Sequence, residues 1–263
     1  MVAAVPATPR RFSVLGVMAS ATTYAEVTEL VINAARTRCS LVLAATSVHG
    51  VTVAARDPSF LEILNSLDVI TPDGQPVRWA LNVLHGARLS ERVYGPTLMG
   101  YVCAAAETAG LSVYFYGSTP DVLDCLSVRL GEQFPGLRIA GSHSPPFREL
   151  TDEEQTADAE QIVQSGADIV FVGLGCPRQE RWAARQRLLV HAPILCVGAA
   201  FDFHAGTLRQ APPWMQQRGL EWLFRLGMEP RRLWRRYAQA IPLFVMLLSR
   251  QYLEQRIRTR MAQ

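Results

Sequence analysis

Four polar clusters in this chain each follow an apolar, β-rich run, the place from which a sheet of parallel strands presents side chains to a ligand. Thr46-Ser47-Val48-His49-Gly50 offers two hydroxyls, an imidazole and a flexible glycine, and both a polar turn with a helix cap and a binding loop fit it. Pro72-Asp73-Gly74-Gln75-Pro76 is turn chemistry. A carboxylate at such a strand end can equally serve as a general base. Gly173-Leu174-Gly175-Cys176-Pro177-Arg178-Gln179-Glu180 allows close backbone approach and then opens a helix whose free N–H groups favour phosphate. Gly198-Ala199-Ala200-Phe201-Asp202-Phe203-His204 brings a second acid to the same rim.

The patterns also exclude chemistry. The full G-x-G-x-x-G fingerprint is missing around Gly173, which disfavours NAD and leaves a nucleotide diphosphate open. Asp202 and His204 stand two residues apart but no third ligand follows, so neither a metal nor a cofactor is expected. No D-x-D occurs, so charge on a leaving diphosphate would fall to arginines and helix N-termini. Five dispersed cysteines without a C-x-x-C pair suit a reducing compartment.

The elements that must position these clusters are legible as alternation. Apolar runs at residues 12–17, 41–45, 69–71, 113–116, 169–172 and 194–197 alternate with helical patterns at 24–38, 97–109, 121–134, 151–164 and 178–189. This is the signature of an α/β, Rossmann-like architecture, a mainly parallel sheet with helices on both faces. Thr119 before Pro120, and Thr151 with Glu154, punctuate helix starts. Pro212-Pro213 end the alternation. The expected organisation is a flexible leader over 1–11, an α/β core over 12–210, and an Arg-rich helical appendage over 211–263.

All 26 basic residues are Arg, and ten of them fall between Arg218 and Gln263 against only Glu221, Glu229 and Glu254. A one-signed field of planar forks draws phosphate or anionic lipid. Trp222, Phe224, Trp234 and Tyr237 precede an apolar run at 241–248 that contains Pro242 and is far shorter than the roughly 20 residues of a spanning helix. A docked core helix and an interfacial helix both fit; Arg256, Arg258 and Arg260 beyond the run favour contact with a membrane surface. The rest of the chain is net acidic and carries no nucleic-acid module, so no nucleic-acid partner is expected. The leader lacks a signal-peptide core, which points to a cytoplasmic protein, peripheral on the inner face of the cell membrane. An apolar surface left open by a mobile tail would also allow a homo-oligomer.

Taken in order, these segments resemble the WecG/TagA/CpsF family of bacterial glycosyltransferases. The resemblance runs over Asp73-Gly74, Glu91-Arg92-Val93-Tyr94-Gly95, Phe134-Pro135-Gly136-Leu137-Arg138-Ile139, the Gly173 to Glu180 segment, Phe201-Asp202-Phe203-His204-Ala205-Gly206, Gly219-Leu220-Glu221-Trp222-Leu223-Phe224-Arg225-Leu226 and Glu229-Pro230-Arg231-Arg232-Leu233-Trp234-Arg235-Arg236-Tyr237. It implies inverting transfer of a hexosyl group, foremost N-acetylmannosamine, from a UDP-sugar donor to a polyprenyl-diphosphate-linked acceptor. Glucose or glucuronic acid as the donated sugar, and a non-catalytic binding subunit, are its alternatives. By the same resemblance Asp73 is the general base, and Thr46, Ser47, Arg92, Gly173, Gly175, Gln179 and Asp202 hold substrate. Arg225, Arg232 and Arg235 would clamp the lipid diphosphate. The chain departs from the family at two points: Thr46 or Ser47 stands for a Thr-x-Asn element, and Pro145-Pro146 before Phe147 replaces a glycine-tyrosine pair.

Overall fold

The structure, a computed structural model, describes residues 8–261. Residues 1–7 of the expected leader and the last two residues of the appendage lie outside the described residues.

Six parallel strands form the central sheet: β3 (Leu41–Thr46), β4 (Val69–Pro72), β5 (Ser112–Gly117), β6 (Arg138–His143), β7 (Ile169–Gly173) and β8 (Pro193–Cys196). Their order across the sheet is β4-β3-β8-β7-β5-β6. All six run the same way, so their carboxyl ends share one rim. Alternate strand residues feed two separate cores. Leu43, Val69, Val113, Phe115, Phe171 and Leu195 pack on one face with α1 (Tyr24–Arg36), α5 (Gly95–Ala109), α6 (Pro120–Gln133) and α9 (Ala200–Ala205). Val42, Ile70, Tyr114, Tyr116, Val170 and Ile194 pack on the other with α2 (Val48–Ala54), α3 (Pro58–Ser66), α4 (Gln75–His85), α7 (Asp152–Gln164) and α8 (Arg178–Gln186).

The run at 12–17 does not join this sheet. It is an antiparallel hairpin of β1 (Arg11–Val14) and β2 (Val17–Ser20), turned by Leu15 (φ 52°) and Gly16 (φ 88°), the two positive φ values a two-residue hairpin loop demands. Arg11, placed in the leader by composition, opens β1, and its guanidinium donates to the carbonyls of Met18 (2.9 Å), Leu67 (3.0 Å) and Asn65 (3.1 Å). Ser20 Oγ accepts from Ile70 N–H (3.1 Å), so the hairpin closes the β4 edge. The opposite edge, β6, went unread because its residues Arg138, Gly141, Ser142 and His143 break the apolar pattern. Helix starts follow the sequence cues: Thr119 Oγ1 accepts from Val122 N–H, and Thr151 with Glu154 closes a capping box.

Beyond Pro212 come α10 (Pro213–Gln217), α11 (Glu221–Met228) and α12 (Pro230–Met261). Helix α12 lies along α2 and α4. Leu233, Ala240 and Phe244 are its buried stripe, and the Gln251 side chain bridges Leu15 N–H (2.9 Å) and Ser13 O (2.9 Å) of the hairpin. The apolar run at 241–248 therefore divides between two environments: Phe244 joins the core while Val245 and Met246 face solvent. No described helix is long and apolar enough to cross a membrane.

Candidate active site

The polar clusters meet above the carboxyl ends of β4, β3, β8 and β7, which are neighbours in that order. Asp73 follows β4 directly. Its N–H donates to Thr46 O (3.2 Å), and Pro72 O accepts from Val93 N–H (3.1 Å), so the turn is fixed between β3 and the segment leading into α5. One carboxylate oxygen accepts from Gly95 N–H at 2.9 Å. The other has no protein donor among the described residues and faces the cleft. Burial pushes the Asp73 pKa up to about 6, and Arg92 and the Gly95 hydrogen bond only partly oppose it. Gly95 has to be small here, since an added Cβ would lie 3.1 Å from Val197 O.

Arg92 is held from the appendage. Its guanidinium pairs with Glu221 on α11 at 2.5 Å, both side chains about nine-tenths buried, and also donates to Gln216 Oε1 (3.2 Å). It stacks over Tyr94 with Cζ 4.1 Å from the ring centre. Burial works against the Arg92 charge, but Glu221 and then Asp73 outweigh it and its pKa rises. The turn into α11 also needs a glycine: Gly219 has φ 72°, and a Cβ there would meet Trp79 Cη2 at 2.7 Å.

On the other side of the cleft Gly173 ends β7, and a Cβ on it would strike the Phe201 ring at 2.7 Å. Gly175 adopts φ 79°, a left-handed conformation that only glycine takes freely. Gln179 is buried; its amide donates to Glu180 Oε1 (3.0 Å) while its own oxygen, like Thr46 Oγ1, is buried without a partner. Such orphaned groups are costly in a finished core and ordinary in a ligand site. Ser47 caps α2 by position, with no side-chain hydrogen bond to the helix. Asp202, on α9, is raised in pKa by burial, which Arg232 partly offsets. His49 is depressed to about 4, by burial first and then by Arg236, and is neutral at pH 7.

The appendage arginines divide. Arg225 extends over the Phe203 ring (5.6 Å) and acts electrostatically on Asp73. Arg232 pairs with Glu229 (2.6 Å) and acts on Asp202. Arg235 instead lies over Trp234 (5.4 Å), a side chain exposed on the outer face of α12. Arg236, exposed like Arg235, acts electrostatically on His49 and Cys176. No group of three or more His, Cys, Asp or Glu side chains arranged to hold a metal ion occurs among the described residues. A separate groove of about 580 Å³ between the hairpin, α1 and α4, lined by Phe12, Glu26, Glu29 and His85, receives none of the four clusters.

The chain matches the model of the glycosyl transferase WecG/TagA/CpsF family over residues 12–258. It belongs to that family. It is 30% identical over 184 residues, 70% of this chain and 69% of the relative, to a Bacillus subtilis strain 168 protein named N-acetylglucosaminyldiphosphoundecaprenol N-acetyl-beta-D-mannosaminyltransferase. It is 34% identical over 193 residues, 73% and 72% of the two chains, to the protein of the same name from Bacillus spizizenii strain W23.

In this WecG/TagA/CpsF glycosyltransferase the motif residues from β3, β4, β7 and α9 converge on one cleft, and α11 and α12 roof it. Two contributors escaped sequence reasoning. Glu221 sits in a quoted motif, but nothing local announces that it partners Arg92 across 129 positions. Arg236 was recoverable, because the 3.6-residue period places it beside the buried stripe of Leu233, Ala240 and Phe244 and Arg235 across the helix from that stripe, although both guanidinium side chains are exposed.

Proposed function

We propose that this glycosyltransferase moves N-acetylmannosamine from UDP-N-acetylmannosamine to an N-acetylglucosaminyl-diphosphate-polyprenol, with inversion. The names carried by the two Bacillus relatives support the sugar and the acceptor. The observation that carries the mechanism is Asp73: one oxygen is anchored on Gly95 N–H, the other is open to the cleft, and its pKa of about 6 leaves it ionised yet basic at neutral pH. Asp73 takes the proton of the acceptor hydroxyl as that oxygen forms the new bond to the anomeric carbon, while the bond from the anomeric carbon to the diphosphate breaks on the opposite face. The resulting UDP carries away the electron pair. Arg92, fixed by Glu221, supports the charged form of the base, and Arg225 and Arg232 supply cations to a lipid diphosphate.

The appendage also supports peripheral attachment at the cytoplasmic face of the membrane. Trp234, Val245, Met246, Leu253 and Ile257 are exposed along α12 at helical spacing, with Arg231, Arg235 and Arg250 exposed beside them. A second donor reading, another UDP-hexose, is favoured by one feature. Where the family has glycine-tyrosine, Phe147 is 89% exposed beneath Arg178, whose Cζ lies 5.3 Å from the ring centre.

The test is UDP release with a panel of UDP-sugars and a short-chain N-acetylglucosaminyl-diphosphate-polyprenol in detergent. Acceptor-dependent release from UDP-N-acetylmannosamine, lost in Asp73→Asn, is the expected result. Release that ignores the acceptor, or that favours UDP-glucose or UDP-glucuronic acid, would replace the proposal.

A further inference from the structure

Glu180 has no role in the mechanism above, yet it is an acid in the interior. The residue is 2% exposed, and burial raises its pKa, which hydrogen bonds from Gln179, from its own N–H and from Cys176 partly oppose. The arginines that follow it on α8 pair elsewhere, Arg181 with Asp57 and Arg185 with Asp152. A buried carboxylate without a cation is costly, and an apolar side chain of the same size would serve packing as well. Its reason lies in what it touches.

What it touches is Gln179. Glu180 Oε1 accepts from the Gln179 side-chain amide at 3.0 Å. The two ends of a glutamine amide are alike in size, so hydrogen-bond partners decide which end faces where. A carboxylate oxygen is an acceptor, so it draws the NH2 group and turns the amide oxygen away. That oxygen is buried without a protein donor. It lies at the exit of β8, where a Cβ on Gly198 would be 3.6 Å from it. The backbone of Gln179 is clamped on both sides: its N–H donates to Gly175 O (3.0 Å) and its carbonyl accepts from the Cys196 thiol (3.5 Å). At the end of β3, the strand next to β8, Thr46 Oγ1 is likewise buried and unpartnered.

We propose that Glu180 is a positioning residue, which sets the polarity of the Gln179 amide so that its oxygen accepts a hydrogen bond from the donated sugar. This rests on the glycosyl-donor reading and deepens it. An unpartnered acceptor asks for a ligand with N–H or O–H groups. A diphosphate carries only acceptor oxygens when ionised, and the amide oxygen and the Glu180 carboxylate would both repel it. Sugar hydroxyls and an acetamido N–H are donors. The sheet order favours the donated ring over the acceptor's. Asp73, which must face the acceptor hydroxyl, leaves the edge strand β4, and β8 lies two strands inward, about 10 Å away. From that edge the cleft extends only toward β8, so the ring beyond the attacking hydroxyl, the one under attack, is the one that meets Gln179.

The experiment is steady-state kinetics of the full chain with the UDP-sugar it turns over and the short-chain acceptor, beside calorimetric titration with UDP. Wild type is compared with Glu180→Met, Glu180→Gln, Gln179→Met and the double variant Gln179→Met with Glu180→Met. Glu180→Met should raise KM for the UDP-sugar about tenfold, as expected for one buried hydrogen bond mis-set, while UDP affinity, KM for the acceptor and the melting temperature hold. Glu180→Gln keeps an acceptor for the Gln179 NH2 group and should fall between. In the Gln179→Met background the change at Glu180 should add nothing, because its effect runs through the amide. Unchanged KM in Glu180→Met overturns the proposal. So does weakened binding of UDP itself, a loss confined to the acceptor's KM, or an equal loss in both backgrounds, which a merely structural role would give. A wild type without turnover on any UDP-sugar would sink the donor reading and this inference together, whereas the other failures leave that reading standing.

Discussion

Asp73 and its anchor make the sharpest residue-scale predictions. Asp73→Asn keeps the Gly95 hydrogen bond but cannot take a proton, and turnover should fall about 10²–10⁴-fold. The stability effect runs the other way. The folded-state pKa lies above the unfolded value, so the favourable contribution belongs to the protonated acid and is lost as pH rises through about 6. Above that pH the ionised side chain is a cost that Asn removes, and the variant should melt no lower than wild type. Wild-type kcat/KM should rise with pH and level off above about 6; a flat profile between pH 5 and 8 would argue against Asp73 as the base.

At the scale of elements, α11 reaches into the site through Glu221. Removing that carboxylate leaves Arg92 buried and unpaired, a change that costs about 3–5 kcal/mol in comparable pairs. Urea unfolding of Glu221→Ala should read this loss, and Glu221→Gln should recover part of it. Glu221 also raises the Asp73 pKa while Arg92 lowers it, so the midpoint of the pH profile in Glu221→Ala should move down. A midpoint that stays in place would mean the pair is structural only. The same elements mark the reach of sequence reading. The runs at 41–45, 69–71, 113–116, 169–172 and 194–197 are strands because each is apolar on both faces, a pattern with no rival at that length. Residues 12–17 have the composition of one strand, and a single positive-φ pair at Leu15 and Gly16 folds them into a hairpin instead. Helices α2, α3 and α4 were hidden by their shortness and by loop-like starts at Ser47, Asp57-Pro58 and Gly74. Asp73 and Gln179 stood out by their position after strands; Glu221 as a partner did not, because long-range ion pairs leave no local pattern.

For the whole molecule, the appendage is both roof and surface. A chain ending at residue 210 would lose Arg225, Glu221 and the Phe244 contact while retaining the eight strands found among the described residues. It should keep α/β circular dichroism, melt at lower temperature and have no transferase activity. Full activity on a lipid acceptor would exclude a catalytic contribution from the tail. The outer face of α12 makes a separable prediction: Trp234→Glu with Met246→Glu should reduce binding to anionic phospholipid vesicles and leave UDP affinity in solution unaltered, since both side chains face away from the cleft. The hairpin over β4 has a further consequence, for tolerance to mutation. Because the hairpin packs over the β4 margin, with Ser20 Oγ accepting from Ile70 N–H, and helices cover the two faces of the sheet, β6 is the margin with no hairpin over it among the described residues, and it is the described strand with no buried residue. A saturation scan scored for abundance should find β3, β4, β5, β7 and β8 intolerant at consecutive positions, with no every-other-residue relief, and permissive substitution confined to β6. Proline or added charge should be accepted there first, and an apolar replacement of Arg138 or Ser142 should show itself as self-assembly rather than as loss of fold.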